Sequence, residues 1–494
     1  MTEIIIKNIT EKEIKTDALI LPFYEDDKKN IYSDLDDKIG GLIKRLDNTK
    51  EFSGKKNETA LLHITNLETQ RLCLVGIGKK NEITAEKLRQ AAGKALRHLR
   101  SISCKDVALS TRIFNGMDEC IKGDFKPIYY FLEGGLLSLY RYLKYKTNEE
   151  EENKKELNTI TILDSNADIE LNWLTATIEA SNFAKDLINT PAKDMTPTTL
   201  SEAAKSLAND KIKVTVLEKE DVVKEGMGAY LSVSMGSDQP LKLIILEYNR
   251  GEGAPIVIVG KSVTFDSGGL SIKPADSMEL MKHDMGGGAA TLAIVMAVSK
   301  LELPLNLVAI LPATENMLNG LASKPGDVVK TITGKTIEIL NTDAEGRLTL
   351  ADALGYAIKY FKPRITIDIA TLTGACIVAL GNEALAIMGT DNDMIERFKK
   401  AADETSERVW QMPLFDEYKE YIKSDIADVK NTGGRAGGVV TAGCFLKEFT
   451  SNQPWIHLDI ASTVWNTKDK PYLSKGATGI GVRLILSMLR NLVK

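Results

Sequence analysis

Short apolar runs alternating with helical patterns constrain this chain more than any other feature. Glu3–Lys7, residues 17–23, 59–65 and 71–77, and Thr159–Leu163 are rich in Ile, Leu and Val and read as strands. Over residues 84–100 the apolar positions Leu88, Ala92, Ala95, Leu96 and Leu99 keep helical spacing, with Thr84 and Lys87 giving half a capping box. Further strand-like runs at 241–248, 255–260, 305–311 and 364–369 again alternate with helices. Alternation of this kind predicts an α/β fold, a largely parallel sheet covered by helices.

At 494 residues the chain exceeds what one hydrophobic core usually organises, so two domains are expected. A helix carrying Leu174, Ile178, Phe183, Leu187 and Ile188 should end at Asn189-Thr190-Pro191, because proline disfavours the α conformation in the residue before it. That gives an N-terminal domain over 1–165, a connecting helix over 166–190 and a C-terminal domain over 191–494. The acidic run at 147–156, including Glu149–Glu152, reads as a solvated connection.

Charge and composition narrow the function. Lys and Arg number 63 against 68 Asp and Glu, a net charge of −5, so no global basic field exists for nucleic acid or an anionic membrane. Lys87, Lys94, Arg97 and Arg100 could still form a local basic stripe on the N-terminal helix, an alternative nucleic-acid-binding role. The first residues lack the basic start and cleavage site of a signal peptide, and the apolar stretch 286–298 is shorter than the roughly 20 residues needed to span a bilayer. Five scattered cysteines without a Cys-x-x-Cys pair suit a reduced, cytoplasmic protein. Nucleotide motifs fail on inspection. Gly260-Lys261-Ser262 and Gly334-Lys335-Thr336 have Pro255 and Val329 where a P-loop needs glycine, and Gly76-Ile77-Gly78 has Asn81 in place of the third glycine of a dinucleotide fingerprint.

Two segments concentrate charge beside glycine at predicted strand ends. The first runs from Lys261 through Asp266, Gly268, Gly269 and Lys273 to Asp284 and Gly286–Gly288. The second is Asn341-Thr-Asp343-Ala-Glu345-Gly-Arg347, after the strand-like residues 336–340. Loops beyond the carboxyl ends of strands form the binding crevice of open α/β sheets. In an extended segment Asp343, Glu345 and Arg347 would point to one side, where Asp266 and Asp284 could meet them. Carboxylates so gathered repel unless cations neutralise them, and two divalent ions would balance four.

These blocks strongly resemble the leucyl aminopeptidase (cytosol aminopeptidase) family. Val259-Gly-Lys-Ser-Val-Thr-Phe-Asp-Ser-Gly-Gly269, Met281-Lys-His-Asp-Met-Gly286 and Asn341-Thr-Asp-Ala-Glu-Gly-Arg-Leu348 carry the likeness. Asn189-Thr-Pro191, Thr371-Leu-Thr-Gly-Ala375, Ser424-Asp-Ile-Ala-Asp428 and Trp455-Ile-His-Leu-Asp-Ile-Ala461 fit as well, and Val75-Gly-Ile-Gly-Lys79 extends it loosely to the N-terminal domain. Ser262, His283 and Ser462 depart from the family pattern, though none is expected to be a ligand.

The resemblance implies a smaller N-terminal α/β domain and a larger catalytic α/β domain with a central mixed sheet, assembled as a homohexamer of two trimers. It implies a metal-dependent enzyme that removes N-terminal residues, preferably leucine and other apolar ones, from peptides with a free amino terminus. Lys261, Asp266, Asp284 and Glu345 would hold the tighter metal. Asp266, Asp343 and Glu345 would hold the more exchangeable one, Asp343 also through its main-chain carbonyl. Lys273 would polarise the scissile carbonyl, and Arg347 would hold bicarbonate as the general base. Met281, Thr371, Leu372, Gly374 and Ala461 would line the pocket for the first side chain. Oxygen ligands with one amine favour harder ions such as Mn²⁺, whereas the family is also known with Zn²⁺, so zinc or manganese is expected.

Overall fold

The computed structural model describes residues 2–25, 31–121, 123–148, 154–163 and 169–493. The expected junction near residue 165 and the Glu149–Glu152 run lie outside them. Two contact units emerge: Met1–Ile178 with Thr467–Lys475, and Glu179–Asn466 with Gly476–Lys494. The division falls inside the helix Leu171–Asn189, and a late segment of the chain belongs to the first unit.

The first unit holds strands β1 (Glu3–Lys7), β2 (Ala18–Tyr24), β3 (Thr59–His63), β4 (Arg71–Gly78), β5 (Asp106–Ser110) and β6 (Thr159–Leu163). They form one sheet in the order β1-β6-β5-β2-β4-β3, parallel except for the edge strand β3. Leu19, Leu21, Leu72, Leu74 and Ala108 project from it into one apolar cluster. The helix Ala85–Ser101 starts where the Thr84 hydroxyl accepts from Lys87 N, as its sequence suggested. It packs on the helix Pro127–Ser138, and a Cβ at Gly134 would lie 2.2 Å from Arg89 Cα. Only glycine permits that approach. Arg89 is buried there as an ion pair with Glu133.

The segment Thr467–Lys475 straps across the helix Ala85–Ser101. Arg97 donates to Lys470 O at 2.6 Å and Ser474 Oγ at 3.2 Å, and the Tyr472 hydroxyl donates to Glu86 Oε2 at 2.9 Å. This overturns the basic stripe. Arg97 also reaches Ser138 O, Arg100 donates to Leu139 O at 2.9 Å, and Lys87 pairs with Glu82. Of the four, only Lys94 is exposed. The guanidinium groups satisfy main-chain carbonyls and do not face a phosphate backbone.

The second unit is built from β7 (Ile212–Leu217), β8 (Lys242–Asn249), β9 (Ile256–Gly260), β10 (Ser262–Asp266), β11 (Asn306–Asn316), β12 (Val328–Lys330), β13 (Thr336–Glu338), β14 (Ile365–Ala370), β15 (Leu385–Gly389), β16 (Val409–Gln411), β17 (Val429–Lys430) and β18 (Trp455–Asp459). Its main sheet has the order β16-β15-β18-β14-β9-β11-β8-β7, with β10 beside β11. β18, β14, β9 and β11 run parallel at its centre, β8 and β15 run antiparallel to them, and β7 is antiparallel to β8, so the sheet is mixed. A second, three-stranded sheet joins β12, β13 and β17.

The apolar stretch 286–298 becomes the helix Gly286–Lys300, buried against β9 and β14. A Cβ at Gly287 would stand 1.9 Å from Ile369 O, so glycine lets this helix begin in contact with the sheet. No helix among the described residues is long and apolar enough to cross a membrane. One local expectation fails. Residues 341–345 form a turn, Asn341 Oδ1 accepting from Asp343 N at 2.9 Å, and the helix Gly346–Phe361 follows at once. The segment is not extended, so the alternation of Asp343, Glu345 and Arg347 does not set one face.

Candidate metal-binding active site

The carboxyl ends of the central parallel strands deliver the charged residues to one place. Lys261 follows β9, Asp266 closes β10, Thr371 follows β14 and Asp459 closes β18. Asp284 comes from the 3₁₀ segment Met278–Met285, and Asp343 and Glu345 from the turn before the helix Gly346–Phe361.

Two lysines knit four carboxylates together. Lys261 Nζ lies 2.7 Å from Asp284 Oδ1 and 2.8 Å from Glu345 Oε1, and donates to Thr371 O at 2.9 Å. Lys273 Nζ lies 2.8 Å from Asp266 Oδ2 and 2.5 Å from Asp343 Oδ1. Asp266, Asp343 and Glu345 each offer an oxygen within 4.8 Å of the others. Asp284 Oδ2 is buried without a hydrogen-bond partner. Asp343 Oδ1 and Glu345 Oε1 face the ammonium groups at ion-pair distance but off hydrogen-bond geometry.

Burial and mutual repulsion shape the ionisation. Burial, then the Glu345 charge, pushes Asp266 up to about 6, against the pull of Lys273 and Lys261. Burial also raises Asp284 and Asp343. Glu345 goes the other way, because Lys261 and Lys273 outweigh its burial. Both lysines are raised, burial being overcome by Asp284, Glu345 and Asp266 at Lys261 and by Asp266, Glu345 and Asp343 at Lys273. Two ammonium groups leave an excess of carboxylate, and that excess, three clustered oxygen donors and a partnerless buried oxygen suit divalent cations.

Arg347 stands apart from this cluster. Its Nη1 donates to Asn431 O at 2.8 Å, its guanidinium lies 5.9 Å from the Phe445 ring centroid, and its buried Nε has no hydrogen-bond partner. Burial lowers it to about 10. His283 is pushed down to about 4 by burial and then by Lys261.

The expected pocket residues divide. Thr371 is turned into the cluster, its hydroxyl donating to Asp284 Oδ1 at 2.7 Å. Leu372 N and Ala461 N both donate to Asp459 Oδ1 at 3.1 Å, which ties the two strand exits together. Gly374 opens the helix Gly374–Leu380 on an exposed surface with nothing within 4 Å of its Cβ position. Met281 is half-buried on the separate 3₁₀ segment. Four residues of this site had no role in the sequence reading: Asn316, Thr342, Asn431 and Asp459. Their one shared signal is position, each being a polar residue at or just past a strand end.

Comparisons with known proteins identify one family over both parts of the chain. A family model described as the cytosol aminopeptidase family, catalytic domain, matches residues 182–486, and its N-terminal-domain counterpart matches 20–149. A "Probable cytosol aminopeptidase" of Geobacter sp. (strain M21) is 44% identical over 489 residues, covering 97% of this chain and 98% of its own. One of Alkaliphilus metalliredigens (strain QYMF) is 39% identical over 502 residues, covering 99% of each. Among solved structures, a mutant of tomato leucine aminopeptidase superposes with a TM-score of 0.89 at 30% identity, covering 99% of this chain and 97% of that one. The bottromycin maturation enzyme BotP in complex with Mn gives 0.86 at 29% identity, covering 97% and 100%.

Proposed function

The chain belongs to the cytosol aminopeptidase family, and from that premise we propose a two-metal aminopeptidase that releases leucine and other apolar residues from free peptide N-termini. The observation that carries the proposal is the quartet Asp266, Asp284, Asp343 and Glu345, three of them buried and Asp343 half-buried, drawn together at strand ends with two lysines against it. Lys261, Asp266, Asp284 and Glu345 would hold one divalent ion, and Asp266, Asp343 and Glu345 the other. Bound there, zinc or manganese would supply Lewis acidity and make a water acidic enough to attack at neutral pH.

The protein's own groups do the rest. The acidic cleft attracts the α-amino end of a peptide, which fixes the first carbonyl near Lys273. Lys273 is the less buried of the two lysines, and its ammonium donates to the carbonyl oxygen as negative charge develops there. Arg347 is the anion holder. Its partnerless Nε and its Asn431 anchor would hold a bicarbonate, which would supply a general base beside the metals. Met281, Thr371, Leu372, Gly374 and Ala461 would face the first side chain, apolar or small groups that favour leucine.

The domain bounds 1–165, 166–190 and 191–494, a homohexamer of two trimers and a cytoplasmic location complete the reading. The decisive experiment is hydrolysis of leucine p-nitroanilide before and after chelation. Activity should vanish with the chelator and return with Mn²⁺ or Zn²⁺. Full turnover by demetallated protein would refute the two-metal reading, and light scattering in solution tests the hexamer.

A further inference from the structure

Outside the charged residues, the site contains a side chain whose whole donor capacity is spent on the segments around it. Asn316 is the last residue of β11, a strand otherwise committed to the core of the sheet. It is buried, and its carboxamide nitrogen donates twice, to Asp266 Oδ1 at 2.8 Å and to Thr342 O at 3.0 Å. Both amide hydrogens are therefore used. Its main-chain carbonyl accepts from Ser267 N at 2.9 Å and from Ser267 Oγ at 2.8 Å. One residue thus grips the loop after β10 at two points and the 341–345 turn at a third.

The orientation of that amide is forced. Turned over, its oxygen would face Asp266 Oδ1 and Thr342 O, acceptor against acceptor. The surrounding bonds close the same seam. Thr342 Oγ1 donates to Gly268 O at 2.7 Å and accepts from Ser271 N at 2.8 Å, while Thr342 N donates to Ser271 Oγ at 3.1 Å. A Cβ at Gly269 would stand 2.9 Å from Asn316 Oδ1 and 3.0 Å from Thr342 Oγ1, so the loop passes as close as a backbone can. Asp266 and Asp343 come from different loops, and the Asn316 amide spans the gap between them.

We propose that Asn316 is a positioning residue for the metal site. Its two N–H groups fix the orientation of the Asp266 carboxylate and the distance from Asp266 to Asp343, and so set the affinity of the ion those two would share with Glu345. This inference rests on the two-metal reading. A carboxylate aimed by a fixed donor keeps its other oxygen directed at the cation, and removing such a partner typically costs about 10–100-fold in metal affinity. The neutral amide suits this place. It donates twice without adding a charge, whereas another ammonium would compete with the metal.

The test is Mn²⁺ binding by calorimetry on the full-length protein stripped with chelator, comparing wild type with Asn316→Ala and Asn316→Ser. Wild type should bind two ions per chain. Asn316→Ala should bind the ion held with Asp343 about 10–100-fold more weakly and the other, which keeps Lys261, Asp284 and Glu345, with a smaller loss, and Asn316→Ser, which keeps a single donor, should lose less. Circular dichroism establishes that each variant is folded, and should Asn316→Ala not fold, Asn316→Ser carries the same comparison. Wild-type affinity at both sites in a folded variant overturns the inference, even if its melting temperature falls. An equal loss at both sites also overturns it, because the spacing from Asp266 to Asp343 bears on only one of them. A wild type that binds no Mn²⁺ refutes the two-metal reading itself.

Discussion

Gly346→Ala should separate the geometry of the site from the stability of the fold. Gly346 opens the helix Gly346–Phe361 directly beneath Lys261, and a Cβ there would lie 2.4 Å from Lys261 Cε and 2.6 Å from Nζ. Carbon atoms in contact need about 3.5 Å, so the lysine stem must retreat by about 1 Å. Its ammonium is held at 2.7 Å from Asp284, 2.8 Å from Glu345 and 2.9 Å from Thr371 O, and a retreat of that size breaks the set. The stability cost is small. Overpacking costs about 1–3 kcal/mol, and replacing glycine by alanine in a helix returns up to about 1 kcal/mol. A misplacement of about 1 Å at a reacting centre, by contrast, can cost about 10²-fold in rate. The assay is kcat/KM on leucine p-nitroanilide at saturating Mn²⁺, beside urea unfolding of the same samples. Gly355→Ala is the matched control, on the same helix. Its Cβ would meet Ile332 Cγ2 at 2.5 Å and Thr333 Cγ2 at 2.8 Å, so it should lose stability and keep its turnover. A Gly346→Ala enzyme turning over near the wild-type rate would refute the reasoning.

Lys273→Ala should lower kcat by about 10²–10³-fold with a much smaller change in KM, because the lost contact is made mainly in the transition state. Metal content measured alongside distinguishes this from a lost ion. N-Acetyl-leucine p-nitroanilide should resist hydrolysis while the free amine is cleaved, since acetylation removes the lone pair by which the substrate is placed; equal rates would dismiss an exopeptidase. A buried pair gives stability a pH dependence of its own. Burial disfavours a protonated His457, but Asp368, bonded to Nδ1 at 2.5 Å, and Asp459 outweigh it, so its pKa is raised despite Arg347. A raised folded pKa gives stability that is full below the unfolded value and lost as pH climbs through the folded one. The melting temperatures of wild type and Asp368→Asn should therefore converge as the pH rises above about 6.5, the ordinary histidine value, and a gap that widens would reverse the sign.

Local pattern went far along this chain and stopped at tertiary contact. Glu3–Lys7 and Thr159–Leu163 are strands over the residues that their composition suggested, yet nothing in either run says that they pair with each other. Strand order is set by how helices cover the sheet, not by any one strand. The charged residues of the site were legible because carboxylates beside glycine after an apolar run have few structural uses. The turn at 341–345 was not, since alternating polar residues suit an extended strand as well as a turn closed by the Asn341 side chain. Asn316, Asn431 and Asp459 escaped because neutral amides and a lone carboxylate carry no spacing of their own. Their partners, Asp266, Arg347 and Leu372, lie 50, 84 and 87 positions away. Arg97 and Arg100 misled for the same reason, being satisfied by carbonyls from distant segments.

The strap at Thr467–Lys475 imposes an order on biosynthesis. Its contacts with Gly93, Arg97 and Glu86 belong to the first unit, yet they come from residues translated nearly 300 positions after that unit's main segment. At about 5–20 residues per second, the ribosome needs roughly 15–60 s to travel from residue 178 to residue 475. For that interval the nascent first unit carries an uncovered helix face, with Arg97 holding Ser138 O but not yet Lys470 O. Its sheet can close early, but its outer surface is finished only when residues 467–475 have been made. A chain cut short anywhere before the strap leaves that unit incomplete, and quality-control proteases have a natural place to begin.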